Sequence, residues 1–228
     1  MKPIAKILIM GTALVTLSAT CAFAAGSTDQ QTAAQESGST ILNGQISLNT
    51  QWSNLNGVVD GAGSDVNIQG EAAGNLIDVT TMNDTRVQNS QMVGNQASIG
   101  SDVNSTVSNV WGNVNLSNQA LCNGASISTD PTLTQVNSTQ TCHATDPASA
   151  VNLTASGVQG NVAVQSTSIA NSFEADSNAP NMPITTRQVN TSVGASTVNA
   201  NVSNVGGTVG LTSSAVGNQA QIIHYSTN

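Results

Sequence analysis

Past residue 6 the chain contains no lysine, and two arginines, Arg86 and Arg187, stand against all twelve of its carboxylates. Affinity for nucleic acid comes largely from cationic side chains that displace counterions from phosphates, so this charge balance excludes nucleic acid as a partner. Aromatic residues make up 2% of the chain and charged residues 7%; leucine is sparse as well, which argues against an ordinary globular core. No apolar run after the N-terminal segment approaches the ~18 residues a membrane helix needs, and no transmembrane segment is expected in the mature chain. What abounds is Asn, Ser, Thr, Gln, Val and Ala. Disordered chains are depleted in β-branched residues and rich in Lys, Glu and Pro. This composition is the opposite, and it suits a stacked β structure with narrow layers and polar ladders.

Residues 1–24 read as a secretory signal: Lys2 and Lys6 precede an apolar run from Ile7 to Val15, and Ala22-Phe23-Ala24 matches the small-x-small cleavage rule. Cleavage is expected after Ala24. Lipoprotein processing at Cys21 is the rival, but Ser18-Ala19-Thr20 lacks the residues of a lipobox. Removal of Lys2 and Lys6 leaves two arginines against twelve acids, a formal charge of −10. The expected location is extracellular or at the cell surface, associated with an outer membrane. Residues 25–42 carry no repeat and read as a flexible polar leader, and 43–228 as a β-repeat domain.

Self-comparison finds the repeat. Val66-Asn67-Ile68 to Val79, Val114-Asn115-Leu116 to Ile127, Val162-Ala163-Val164 to Ala175 and Val209-Gly210-Leu211 to Ile222 align without gaps, and Asn75, Asn123, Asn171 and Asn218 fall at one shared position. A second landmark, Asp60-Gly61, Ser108-Asn109, Ser156-Gly157 and Ser203-Asn204, steps by the same 48, 48 and 47 residues. Apolar residues alternate with the period of two that a strand requires. The parity flips at these Gly-Asn, Ser-Asn, Ser-Gly and Asp-Gly pairs, which are read as chain reversals because Gly, Asn and Asp tolerate the left-handed conformation of tight turns. Units therefore turn at about 61–75, 109–123, 157–171 and 204–218, with strands of about ten residues between turns. The fold expected is an all-β solenoid or stack of β-arches with a 48-residue period and a ladder of Asn75, Asn123, Asn171 and Asn218; Asn95 of Gly94-Asn95 is a further turn or ladder candidate. The alternative is a long antiparallel hairpin meander.

With Cys21 removed, two cysteines remain in a protein bound for an oxidising compartment, where an even count favours a disulfide. Cys122 stands where Gly74, Ala170 and Gly217 stand in other units. Cys142 aligns with Gly94, which places both thiols at turns on one end of one unit and predicts a Cys122–Cys142 bridge. The alternative leaves Cys122 as a small buried thiol.

Chemistry finds little foothold. His143 and His224 are the only imidazoles, and His143 is read as filling a turn slot held elsewhere by Asn, where positive φ is tolerated. No zinc spacing, nucleophile elbow or phosphate loop is present, so neither metal nor cofactor is expected. Carboxylate pairs such as Glu174 with Asp176, or Asp60 with Asp65, are candidates for acid/base work on sugars, and Glu174 and Asp176 are read as solvated charges straddling a turn. Gly61-Ala62-Gly63-Ser64-Asp65 faintly resembles a calcium-binding nonapeptide, but later units lack the Asp. Trp52 and Trp111 are candidate glycan contacts. The sequons at Asn104, Asn137 and Asn152 are what chance gives in such a composition.

Ala215-Val216-Gly217-Asn218-Gln219-Ala220 and Met92-Val93-Gly94-Asn95-Gln96-Ala97 resemble the Gly-Asn repeats of the secreted proteins that anchor the holdfast of stalked alphaproteobacteria. They are also similar to curlin repeats and to the heads of trimeric autotransporter adhesins, whose periods are shorter. The resemblance implies a cell-surface or matrix role in adhesion with self-association. Not an enzyme but a structural or adhesive protein is therefore expected, stacking on itself or on other surface proteins through open edges, with Gln221-Ile222-Ile223-His224-Tyr225 as the docking strand. An exopolysaccharide-binding module is the second expectation and a polysaccharide-cleaving β-helix the third.

Overall fold

A computed structural model describes residues 8–11, 39–82, 84–129, 134–178 and 182–225. Strand β1 (Leu8–Gly11) falls inside the segment read as an export signal. The other twelve strands form four coils of three. The first coil is β2 (Ser39–Ser47), β3 (Gln51–Asp60) and β4 (Val66–Thr81), and the second is β5 (Thr85–Val93), β6 (Ser98–Val110) and β7 (Val114–Thr129). The third is β8 (Thr134–Cys142), β9 (Thr145–Val158) and β10 (Val162–Ser177), and the fourth is β11 (Ile184–Asn190), β12 (Ala195–Val205) and β13 (Val209–His224). Equivalent strands pair in parallel to give three sheets, β2-β5-β8-β11, β3-β6-β9-β12 and β4-β7-β10-β13, with β1 antiparallel on the outer edge of β3. Hairpins would have given antiparallel neighbours, so the meander alternative is excluded and the chain is a parallel β-solenoid. The strand that opens the first coil begins at Ser39, within the stretch 25–42 read as a leader; residues 25–38 lie outside the described residues.

The third sheet packs against both of the others, and three clusters of small apolar residues line the interior. Val103, Val107, Val110, Val114 and Leu116 fill the arch between the second and third sheets. Val87, Val136, Ile127 and Phe173 fill the arch between the first and third. The narrow layers suit Val and Ala, whose side chains match the shallow space between stacked strands, and the β-branched Val also favours extended backbone. Within one clearance, side-chain size is matched coil by coil: a Cβ on Gly70 would lie 2.6 Å from Asn118 Oδ1, so a glycine in the first coil makes room for the larger residue of the second.

The arch tips confirm one set of turn assignments. Gly61, Asn109, Gly157 and Asn204 all have positive φ, between 53 and 73°, and each lies at the equivalent step of its coil. The Gly-Asn pairs are a different matter, and here the reading needs correction. The third-sheet strands run unbroken for 16 residues through Asn75, Asn123, Asn171 and Asn218. Inward-facing residues of β7 run Val114, Leu116, Asn118, Ala120 and then shift to Asn123, Ala125, Ile127. One extra residue in a continuous strand inverts the alternation as surely as a turn does, and it occurs where the sheet passes from facing the second sheet to facing the first. Strands are accordingly longer than ten residues on both sides of the Ser108-Asn109 tip, 13 in β6 and 16 in β7.

Candidate functional site: amide ladders and the ends of the stack

At that inversion the four asparagines face inward and hydrogen-bond along the solenoid axis. Asn75 Nδ2 donates to Asn123 Oδ1, Asn123 to Asn171 and Asn171 to Asn218, each at 2.8 Å. The second N–H of each amide crosses the core to a backbone carbonyl of the first sheet, Met92 for Asn75, Thr141 for Asn123 and Val189 for Asn171. The amide is thereby fully used in a place where Asn123 and Asn171 are buried completely. A buried polar group without partners costs roughly 1–3 kcal/mol, so the ladder stabilises the fold only as long as every rung is present.

A second ladder escaped the sequence reading. Gln188 Nε2 donates to Gln140, Gln140 to Gln91 and Gln91 to Gln45, each at 2.9 Å. Their other N–H groups cross in the opposite sense, from the first sheet to third-sheet carbonyls of Leu76, Gly124, Ser172 and Gln219. The signal was in the sequence as a glutamine recurring at steps of 46, 49 and 48, but the unequal first steps hide it from a search at one fixed period. The two ladders stitch the first and third sheets from both sides, and they are polarised in opposite directions: asparagine donors point toward the fourth coil, glutamine donors toward the first.

Further rows lie outside. Asn199 donates to Asn152, Asn152 to Asn104 and Asn104 to Asn56 on the exposed face of the second sheet. At the tips, Asn113 N–H donates to Asp65, Asn161 N–H to Asn113 and Thr208 N–H to Asn161. Asp65 thus does in the first coil what asparagine does in later ones. Asp60 sits exposed at the end of β3, where the hydroxyl of Ser108 and then the amide of Asn109 donate to it and hold its carboxyl below the ordinary 3.8. The carboxylate form is the one stabilised, so this contact contributes above the ordinary value and is lost as pH falls through the lowered one. In a carbon-detected NMR titration Asp60 is expected to ionise below 3.8, and Ser108→Ala to move its midpoint upward; no movement refutes the contact.

Cys122 of β7 and Cys142 of β8 form the disulfide, with Cα atoms 6.0 Å apart and 20 residues of separation. Both are buried in the middle of the core with Ala120, Ala170, Val93 and Ile99. The bridge clasps the arch between the second and third coils. Cys142 pairs with Val93, one residue off the sequence alignment to Gly94, because the step between β5 and β8 is 49 residues. For the same reason His143 stands not in an asparagine slot but over Thr191, with Nδ1 2.6 Å from its hydroxyl; Asn109 and Asn204 are the only described non-glycine residues with positive φ, so His143 is not one. A loop of this length constrains the unfolded chain by on the order of 3 kcal/mol. Cys122→Ala with Cys142→Val installs the residues found at Ala170 and Val93, keeps the packing, and is expected to lower the denaturation midpoint by that much. Equal stability to the parent would show that the crosslink contributes nothing.

The remaining candidates do not converge. Trp52 is 47% exposed at the start of β3, its ring laid against Gly100 of the next coil. Trp111 is 75% exposed at an arch tip. They lie at opposite ends of second-sheet strands, about 30 Å apart at ~3.3 Å per residue, too far to form one stacking platform. Asn95 is exposed in the turn between β5 and β6 and lies off the ladder. Glu174 and Asp176 both lie within β10 rather than astride a turn. Among the described residues no cluster of His, Cys, Asp and Glu could hold a metal ion, and no helix is long and apolar enough to cross a membrane.

Comparison with known proteins found no matching family model, no matching curated protein and no matching solved structure. The features left are the two ends of the stack. On the fourth coil the inward-facing Val209, Leu211 and Ile222 are half exposed, at 47, 50 and 51%, whereas their equivalents in the third coil, Val162, Val164 and Ala175, are buried. That coil carries the residues of a core layer with no other described strand stacked above it.

Proposed function

We propose that the chain is a secreted cell-surface structural protein, an attachment or matrix component that works by stacking its β-coils on those of another molecule. The observation that carries this reading is the fourth coil, which no other described strand covers and where three core-type apolar side chains and three parallel strand edges are exposed together. Monomeric β proteins blunt such edges with charge, proline or a covering segment. Here β11, β12 and β13 contain a single charged residue, Arg187, and no proline. The expected export signal, the disulfide and the resemblance to holdfast-anchoring repeats agree with a place outside the cell. The separation of Trp52 and Trp111 weighs against a glycan-binding module.

The test is to export the protein from a bacterial host and follow it at rising concentration by light scattering, electron microscopy and an amyloid-sensitive dye, with antibody labelling of intact producing cells. Filaments or sheets on the surface are expected. A species that stays monomeric at high concentration, and is shed rather than retained, overturns the reading.

A further inference from the structure

Resting on that reading, we infer that the partner at the open end is a second copy of this chain and that the copies join with one polarity, the first coil of one seated on the fourth coil of the next. The ladders decide this. At the fourth coil the Nδ2 of Asn218 donates to nothing among the described residues, while its Oδ1 already accepts from Asn171. At the first coil the Oδ1 of Asn75 accepts from nothing among them, while both its N–H groups are used. An incoming first coil offers the acceptor that Asn218 lacks. The glutamines complement each other in the reverse direction, since Gln188 ends on an Oε1 and Gln45 on an N–H that have no partner among the described residues. Joining two first coils instead would set Asn75 acceptors and Gln45 donors against their own kind.

Packing and charge agree. Carrying the observed registers one step further places Leu55 over Val198, Val66 over Val209 and Ile68 over Leu211, each an apolar residue on another. Between 39 and 84 there are five acids, Asp60, Asp65, Glu71, Asp78 and Asp84, and no lysine or arginine; between 184 and 225 there is no acid and one arginine. First coil against first coil brings like charges together, which disfavours that pairing. The strand β1 occupies the β3 edge where the next copy's β12 must lie, so this junction opens only when the export signal that carries β1 has gone.

The experiment uses protein exported with its own signal segment. Asn56 and Asn199 hold equivalent positions on the exposed row, so the proposed junction sets them on paired strands about 4.8 Å apart, within disulfide reach. Asn56→Cys mixed with Asn199→Cys is expected to give interchain disulfides, while either variant alone gives none. Asn218→Asp keeps the oxygen that accepts from Asn171 but removes the donor, and is expected to raise the concentration needed for assembly at least tenfold with the monomer still folded by circular dichroism. Filaments in which Asn56→Cys crosslinks to itself, or in which Asn218→Asp assembles normally, overturn the polarity while leaving the stacking function standing; absence of any assembly overturns both.

Discussion

Asn123→Asp is expected to destabilise the monomer by on the order of 3–5 kcal/mol. The wild-type amide accepts from Asn75, donates to Asn171 and donates to the Thr141 carbonyl. A carboxylate keeps the first contact and turns both donors into acceptors facing acceptors, in a site with no solvent exposure. Ionisation there is disfavoured, so the variant carboxyl titrates above its unfolded value of ~3.9. The raised group binds its proton more tightly when folded, so the deficit grows as pH rises from the unfolded value to the raised folded one, and is smallest, and constant, below the unfolded value. Asn123→Ala leaves Asn75, Asn171 and Thr141 each short of a partner at every pH and is expected to cost about 3 kcal/mol without that pH trend. Urea midpoints of the two variants at pH 4 and pH 7 test this; a loss under about 1 kcal/mol for Asn123→Asp at pH 7 would show that the ladder is not holding the sheets together.

That rung was visible in the sequence because it repeats in strict register, as were the parallel stacking and the disulfide partners. The glutamine rungs were not, since Gln45, Gln91 and Gln140 are spaced unevenly by the loops that join the coils, and only a backbone shows that the unequal steps cancel. The first sheet advances by 49 residues between Gln91 and Gln140 while the second takes up the difference at a bulge between Ser98 and Gly100. The same slip displaced Cys142 and His143 by one position. A parity flip was legible at Asn75 and at Asn109 alike, but alternation of side chains does not distinguish a strand with one added residue from a reversal; the positive φ at Asn109 and the unbroken strand at Asn75 separate them. The open fourth coil was legible only as a C-terminal strand without a cap. Its meaning depended on knowing which residues of that strand face inward, and that requires the stack beneath it.

Phe173 carries the other large expectation. It is the bulkiest fully buried side chain, and its neighbours along the stack are Ala125 in the coil below and Ala220 in the coil above. One large residue thus fills the height left by two small ones, and Val87, Val136 and Ile127 close the packet around it. Because the strands are fixed about 4.8 Å apart by their hydrogen bonds, the coils are unable to collapse toward each other to refill an emptied site. Phe173→Ala is therefore expected at the upper part of the usual range, about 4 kcal/mol, and Phe173→Leu at less than half of that. Trp111→Ala, exposed at an arch tip, serves as the control and is expected within roughly 0.5 kcal/mol of the parent. Denaturation of the three variants side by side checks the ranking. If Phe173→Ala proves no worse than Trp111→Ala, the packet between the first and third sheets relaxes freely, and the coils are held by their backbone and amide ladders with little help from apolar packing there.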